Sequence, residues 1–238
     1  MIVTIHQPEH LPWLGFFNKA INCDIFVLLD TAQFEKNYFQ NRNRILSSTT
    51  REREWITVPI SKGSHTDLIC EKQIAFNRKT KNRYLSQIQK SYSTYPFYRD
   101  IMKVITHAFN DGDARLSRLN IKLIKHFFDL LDIRCTVVTA SDLRLGRCKP
   151  GGIINYHICK RLGASSYLSG VSGKDYLDEI PFKNDNIDVV YQEFKHPVYV
   201  QPSDTFVSHL SILDLVFSLP SDEARDIIKS GFTIKSNI

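Results

Sequence analysis

Residues 1–238 predict an α/β fold: a three-layer sandwich around a mainly parallel central sheet, with a helical segment at about 78–131. Three observations carry this. Short β-rich runs at 2–6, 25–29, 56–60, 136–139, 167–169 and 187–191 alternate with stretches of helical periodicity. Leu116, Leu119, Leu123, Phe127 and Leu130 share one helical face and lead directly into the 136–139 run. Ile153, Ile154, His157, Ile158 and Leu162 repeat the pattern, and Gly163 follows as a C-cap before the next run. Strands joined through helices pair in parallel and need cover on both faces.

The run at 2–6, Ile-Val-Thr-Ile-His, reads as a first strand rather than a leader, and the chain is expected to be cytoplasmic, with no membrane insertion. Pro96 divides 82–110 into two helices, because proline cannot donate within a helix and restrains the residue before it. Stretches 51–54 and 61–67 read as surface loops. With 42% hydrophobic and 24% charged residues the composition is that of a globular chain, and 238 residues fit a single domain over 1–238. Cys23, Cys70, Cys135, Cys148 and Cys159 are odd in number and show no CxxC spacing, so they read as reduced thiols, mostly core.

The net charge of +6 is uneven. Residues 71–134 hold 13 Lys+Arg against 6 Asp+Glu, whereas 1–70 hold 7 against 7 and 135–238 hold 11 against 12. Arg78, Lys79, Lys81 and Arg83, beside Tyr84, Tyr92 and Tyr95, suit either a solvated helical face or contact with phosphates or RNA.

Ligands of open parallel sheets sit at the carboxyl ends of the strands. Two such ends are rich in polar residues here: His6-Gln7-Pro8-Glu9-His10 after the first run, and Asp30 followed by the polar stretch to Arg44. Gln40-Asn41-Arg42-Asn43-Arg44 combines side-chain amides with two guanidinium forks and no acid, which fits an anionic, polyhydroxylated ligand; its composition fits a polar surface loop equally well. Ser169-Gly170-Val171-Ser172-Gly173-Lys174 offers backbone N–H groups after a strand, either to a phosphate or as a simple tight turn. It lacks the GxxxxGK[ST] pattern, and the chain has no GxSxG or GxGxxG. His6 and His10 have HxxxH spacing, but Pro8 and Pro12 oppose the helix a zinc pair needs, so no metal is expected.

Six blocks in order carry a resemblance: TIHQPEHLPWLGFFNKA (4–20), FVLLDTAQFEKNYFQNRNRI (26–45), WITVPI (55–60), ICKRLGASSYLSGVSGKDYL (158–177), YQEFKHPVYVQ (191–201) and LSILDLVFS (210–218). Together the chain resembles the WbqC-like family, named for proteins encoded among O-antigen genes. Two positions depart from that pattern: His10 stands where an aromatic residue is common, and Thr31 where a second acid often follows Asp30.

The resemblance implies sugar modification, with acyl or aminoacyl transfer to the amine of a nucleotide-linked amino sugar as the expected reaction. No tightly bound cofactor is expected; the activated donor is acyl-CoA or aminoacyl-tRNA, and the basic 71–134 segment suits docking of a tRNA or other RNA. The alternatives are an RNA-linked transferase and a non-catalytic sugar-nucleotide-binding protein. Carried onto this chain, the motifs mark His6, Gln7, Asp30, Gln33, Lys36, Gln40, Asn41, Arg42 and Asn43, then Ser169, Gly170, Tyr176, Gln192, His196, Tyr199 and Asp214. His6 is expected to take a proton with Asp30 orienting its ring, unless it is a buried structural histidine. The others except Asp214 are expected to contact substrate, with His196-Pro197 in a rigid loop shaping the pocket.

Overall fold

The computed structural model describes residues 1–109, 113–145, 152–202 and 205–234; Cys148 lies outside them. The chain begins with β1 (Ile2–His6), α1 (Leu14–Ile21) and β2 (Ile25–Leu28), followed by a hairpin of β3 (Arg42–Leu46) and β4 (Arg53–Thr57). Three helices come next: α2 (Arg78–Tyr92), α3 (Tyr98–Phe109) and α4 (Leu116–Leu130). The second half holds β5 (Thr136–Thr139), α5 (Ile153–Leu162), β6 (Ser166–Ser169), α6 (Ile180–Asn184), β7 (Asp188–Phe194), α7 (Ile212–Ser218), α8 (Ser221–Ser230) and β8 (Phe232–Ile234).

Five strands run parallel in the order β5-β2-β1-β6-β7, and β8 adds an antiparallel edge to β7. Alternation along β2 sends Phe26 and Leu28 to one face and Val27 to the other, so each face needs its own cover. On the first face Phe16 and Phe17 of α1 meet Phe26 of β2 and Phe127 and Phe128 of α4, with Phe16 and Phe26 centroids 4.8 Å apart. Each such fully buried ring contributes about 1.5–3 kcal/mol relative to exposure. On the second face Val3, Ile5 and Val27 pack with Ile158 and Cys159 of α5 and Phe182 of α6. The result is the expected three-layer arrangement.

Pro96 separates α2 from α3, and Gly163 ends α5 at φ 69°, the left-handed conformation that glycine adopts most readily. Asn77 starts α2 by accepting from the Thr80 backbone N–H at 2.9 Å, while the Thr80 hydroxyl accepts from the Asn77 N–H. Tyr84, Ile88 and Tyr92 form the buried stripe of α2, leaving Arg78, Lys79 and Arg83 exposed.

Two local expectations are corrected. The 56–60 run does not join the central sheet, because β4 pairs antiparallel with β3 as a separate hairpin. Arg53 and Glu54, expected in a loop, belong to that strand. The alternation of an amphipathic hairpin has the same period as a sheet strand, so periodicity alone does not separate them.

Candidate active site

The chain moves from β1 to β2 and, further along, to β5 on one side, then returns to lay β6 against the opposite edge of β1. The carboxyl ends of β1 and β6 therefore flank a topological switch point, where open α/β sheets leave a crevice. A cleft of about 2050 Å³ opens there, lined by His6 at the end of β1 and Gln7 after it, Thr31 after β2, Ser141 after β5, Gly170 after β6 and Gln192 on β7. That volume exceeds the roughly 300–1,000 Å³ typical of a single small-ligand pocket. It has room for two reactants.

The turn after β1 is held by side-chain amides. Asn43 Nδ2 donates to the His10 and Leu11 carbonyls at 3.1 and 2.8 Å, and Asn120 Nδ2 donates to the Pro8 carbonyl at 2.8 Å. Since the Asn120 amide nitrogen is spent on carbonyls, its oxygen accepts from His10 Nδ1–H at 3.0 Å, and His10 Nε2 accepts from the Tyr84 hydroxyl at 2.7 Å. Burial lowers the His10 pKa to about 4, with the Asn120 bond opposing it, so His10 is a neutral strut.

This turn delivers Glu9 to the cleft wall, where it meets Lys19 from α1 and His6. Burial raises the Glu9 pKa to about 8, against the pull of the Lys19 charge, and Glu9 Oε2 has no hydrogen-bond partner. Lys19 is buried and donates to the Ile5 carbonyl at 3.2 Å; desolvation lowers its pKa to about 8, with Cys23 and Glu9 acting in the other direction. His6 lies 3.9 Å from Glu9 and keeps a quarter of its side chain open to the cleft. Desolvation and then the Lys19 charge bring its pKa to about 3, while its bond to the Gln7 carbonyl opposes them. Around neutral pH the imidazole is uncharged and weakly basic. The groups of this wall whose pKa lies near 8 are Glu9 and Lys19.

Gln7 is oriented by a relay. The Glu35 backbone N–H donates to Gln40 Oε1 at 2.7 Å, which turns Gln40 Nε2 toward Gln7 Oε1, also at 2.7 Å. Gln7 is left with its amide N–H groups to offer on the cleft wall.

Of the residues singled out from the sequence, His6, Gln7, Gln33, Gly170, Tyr176 and Gln192 line the cleft. Asp30 does not orient His6. Its carboxylate accepts from the Ser141 N–H and hydroxyl at 2.9 and 2.8 Å, tying the end of β2 to the turn after β5. Gln33 donates to the His65 carbonyl, and Gln192 bridges the Gly15 carbonyl and Asn18 Oδ1, locking α1 to β7. Gln40 acts behind Gln7, and Asn41 and Asn43 point inward, Asn41 to the Val58 carbonyl at 2.9 Å. Arg42 donates to the Asn37 carbonyl and lies over the Trp55 ring, and Lys36 is exposed off the cleft wall. Ser169 is buried against Gly170. His196 Nδ1 bonds the Pro197 carbonyl, and Tyr199 donates to Asp214 inside a buried network with Gln201.

Glu9 and Lys19 were missed. A lysine in Leu-Gly-Phe-Phe-Asn-Lys-Ala-Ile of α1, apolar apart from it and Asn18, was the available signal for one of them. Among the described residues no group of three or more His, Cys, Asp or Glu side chains is placed to hold a metal ion. None of their helices is long and apolar enough to cross a membrane.

The model of the WbqC-like protein family matches residues 7–226. The chain is 29% identical over 230 residues to the uncharacterized protein Rv1507c of Mycobacterium tuberculosis (strain ATCC 25618 / H37Rv), covering 95% of this chain and 97% of the relative. No solved structure gives a significant match.

Proposed function

Because the chain belongs to the WbqC-like protein family, we propose that it transfers an acyl or aminoacyl group to the amine of a nucleotide-linked amino sugar, with Glu9 receiving the proton of the attacking amine. The observation that carries this reading is the buried Glu9, with a pKa near 8 and one unpartnered oxygen, at the wall of a cleft large enough for donor and acceptor.

In the step proposed, the amine nitrogen forms a bond to the acyl carbonyl carbon and gives its proton to the Glu9 carboxylate. The bond to the leaving oxygen or sulfur then breaks, and that atom takes the proton from Glu9. The products are the amide and the free thiol or hydroxyl. A base with a pKa near the working pH combines adequate ionisation with adequate proton affinity, which favours Glu9 over His6 at about 3. The Lys19 ammonium and the Gln7 amide offer positive charge and N–H donors to the oxygen on which negative charge develops. His6, with its ring edge against Phe16 at 4.9 Å, closes the side of the site and contacts substrate as a neutral donor or acceptor.

The exposed Arg78, Lys79 and Arg83 on α2, which form no ion pair with a carboxylate among the described residues, support aminoacyl-tRNA as the donor in a second version of the same reaction. The test is mass spectrometry of nucleotide-linked amino sugars incubated with the protein and either acyl-CoA or aminoacyl-tRNA. A product heavier by the acyl or aminoacyl group, absent with Glu9→Gln, is the expected result. Ligand binding without any modified product across the panel would leave a sugar-nucleotide-binding protein instead.

A further inference from the structure

Outside the Glu9 centre, the strongest unassigned feature of the cleft is the outward face of the β3–β4 hairpin. The register pairs Arg44 with Trp55 and Leu46 with Arg53, so Arg44, Trp55 and Arg53 share one face while Asn43 and Ile56 point inward. Arg44 and Arg53 line the same cleft as Glu9. Neither guanidinium has a carboxylate within ion-pair distance among the described residues. The Arg44 guanidinium lies 4.9 Å from the Trp55 ring centroid, and Arg53 donates to the Ser208 carbonyl and hydroxyl at 3.0 and 3.1 Å.

The segment beside them is fastened to the hairpin. The Ser211 N–H donates to the Arg44 carbonyl at 2.8 Å, and Ser208 is held by Arg53. Between these anchors stands His209, in the left-handed region at φ 59°, its N–H donated to His196 Nε2 at 3.1 Å. That bond makes His196 Nε2 an acceptor, so Nδ1 carries the proton given to the Pro197 carbonyl. The His209 ring stacks on Trp13, centroids 6.2 Å apart and planes 21° from parallel, and both residues line the cleft. Desolvation and then the fields of Arg53 and Arg44 hold the His209 pKa below its usual value. Glu193 and Lys195 on the same wall bring one charge of each sign, leaving the two arginines as the excess.

We propose that Arg44 and Arg53, with the Trp13–His209 stack beside them, form a subsite for the diphosphate of a nucleoside diphosphate, the aromatic pair offering a flat face to its base or sugar ring. Guanidinium forks match phosphate oxygens bidentately, and an aromatic face accepts any base. The subsite rests on the reading that one substrate is nucleotide-linked, and it supplies the place where that substrate is anchored while its amine reaches Glu9.

Calorimetric titration of the full chain with UDP, ADP and inorganic pyrophosphate tests it. Arg53→Ala and Arg44→Ala are each expected to weaken UDP and pyrophosphate binding roughly ten- to a hundredfold, the range set by loss of charge-assisted hydrogen bonds. His209→Ala is expected to weaken UDP and ADP roughly tenfold but pyrophosphate little, since only the ring contact is lost. Arg53 lies at an exposed strand end, so its variant remains informative if Arg44→Ala lowers the melting temperature. Unchanged UDP affinity in a folded Arg53→Ala, or no binding of UDP and pyrophosphate at millimolar concentration, would overturn the subsite. Arginine-dependent UDP binding without transfer activity upholds the subsite and removes the reaction proposed above. Transfer activity with arginine-independent UDP affinity does the reverse.

Discussion

Replacing Glu9 with glutamine should change how the stability of the protein depends on pH. Burial raises the Glu9 pKa from an ordinary 4.5 to about 8. Between those values the folded protein holds a proton that the unfolded chain has released, so native stability falls as pH rises through the window. The gap corresponds to about 5 kcal/mol above pH 8 and about 3 kcal/mol at pH 7, as an upper bound because water in the cleft relaxes part of the penalty. Lys19, lowered from 10.5 to about 8, gives the opposite slope, but only between pH 8 and 10.5, so it does not mask the effect below pH 8. Glu9→Gln keeps the shape of the protonated acid and cannot ionise. Urea unfolding of both proteins at pH 5, 6, 7 and 8 should show the wild type losing a few kcal/mol relative to the variant as pH rises. Parallel stability curves would refute the raised pKa and, with it, the assignment of Glu9 as a base near pH 8.

Lys19→Met removes the charge that opposes the raised Glu9 pKa, so the ascending limb of any pH–rate profile should move to higher pH and turnover at neutral pH fall; an unmoved limb would separate Lys19 from Glu9. Asn43→Ala leaves the His10 and Leu11 carbonyls without their donor and should cost about 1–3 kcal/mol in urea unfolding, whereas Arg42→Ala, off the cleft wall, should leave substrate KM within about twofold. Gln40→Ala frees Gln7 to rotate and should raise KM with a loss of about 1–3 kcal/mol in stability, whereas Gln40→Glu sets a buried carboxylate against the Gln7 and Gln33 oxygens and should cost more stability still.

The five parallel strands of the central sheet and the 78–131 helical segment were legible because long periodic stretches and punctuation at Pro96 and Gly163 act locally, whereas the three-residue edge strand β8 is too short to carry a period. The β3–β4 hairpin was not, since its alternation has the same period as a sheet strand and its partner lies in a turn-rich segment. In the polar run from Gln40 to Arg44, composition concealed a division made by the pleat: Asn41 and Asn43 serve backbone carbonyls, while Arg42 and Arg44 face outward. The placement of His6 and Gln7 on the cleft was legible because the carboxyl ends of parallel strands present their last residues to the crevice. Glu9 and Lys19 escaped because their chemistry comes from burial, which depends on Phe16, Phe17 and the Asn43 and Asn120 braces brought together only by the fold.

The most direct test of the account is kcat/KM against pH for wild type and Glu9→Gln, with the modified amino sugar measured by mass spectrometry. The wild type should rise with pH and level off near 8. The variant should be slower by roughly 10²–10⁴-fold with little change in acceptor binding, and should lack the rise that Glu9 ionisation produces. Wild-type turnover in a folded Glu9→Gln protein, with the same rise toward pH 8, would contradict it.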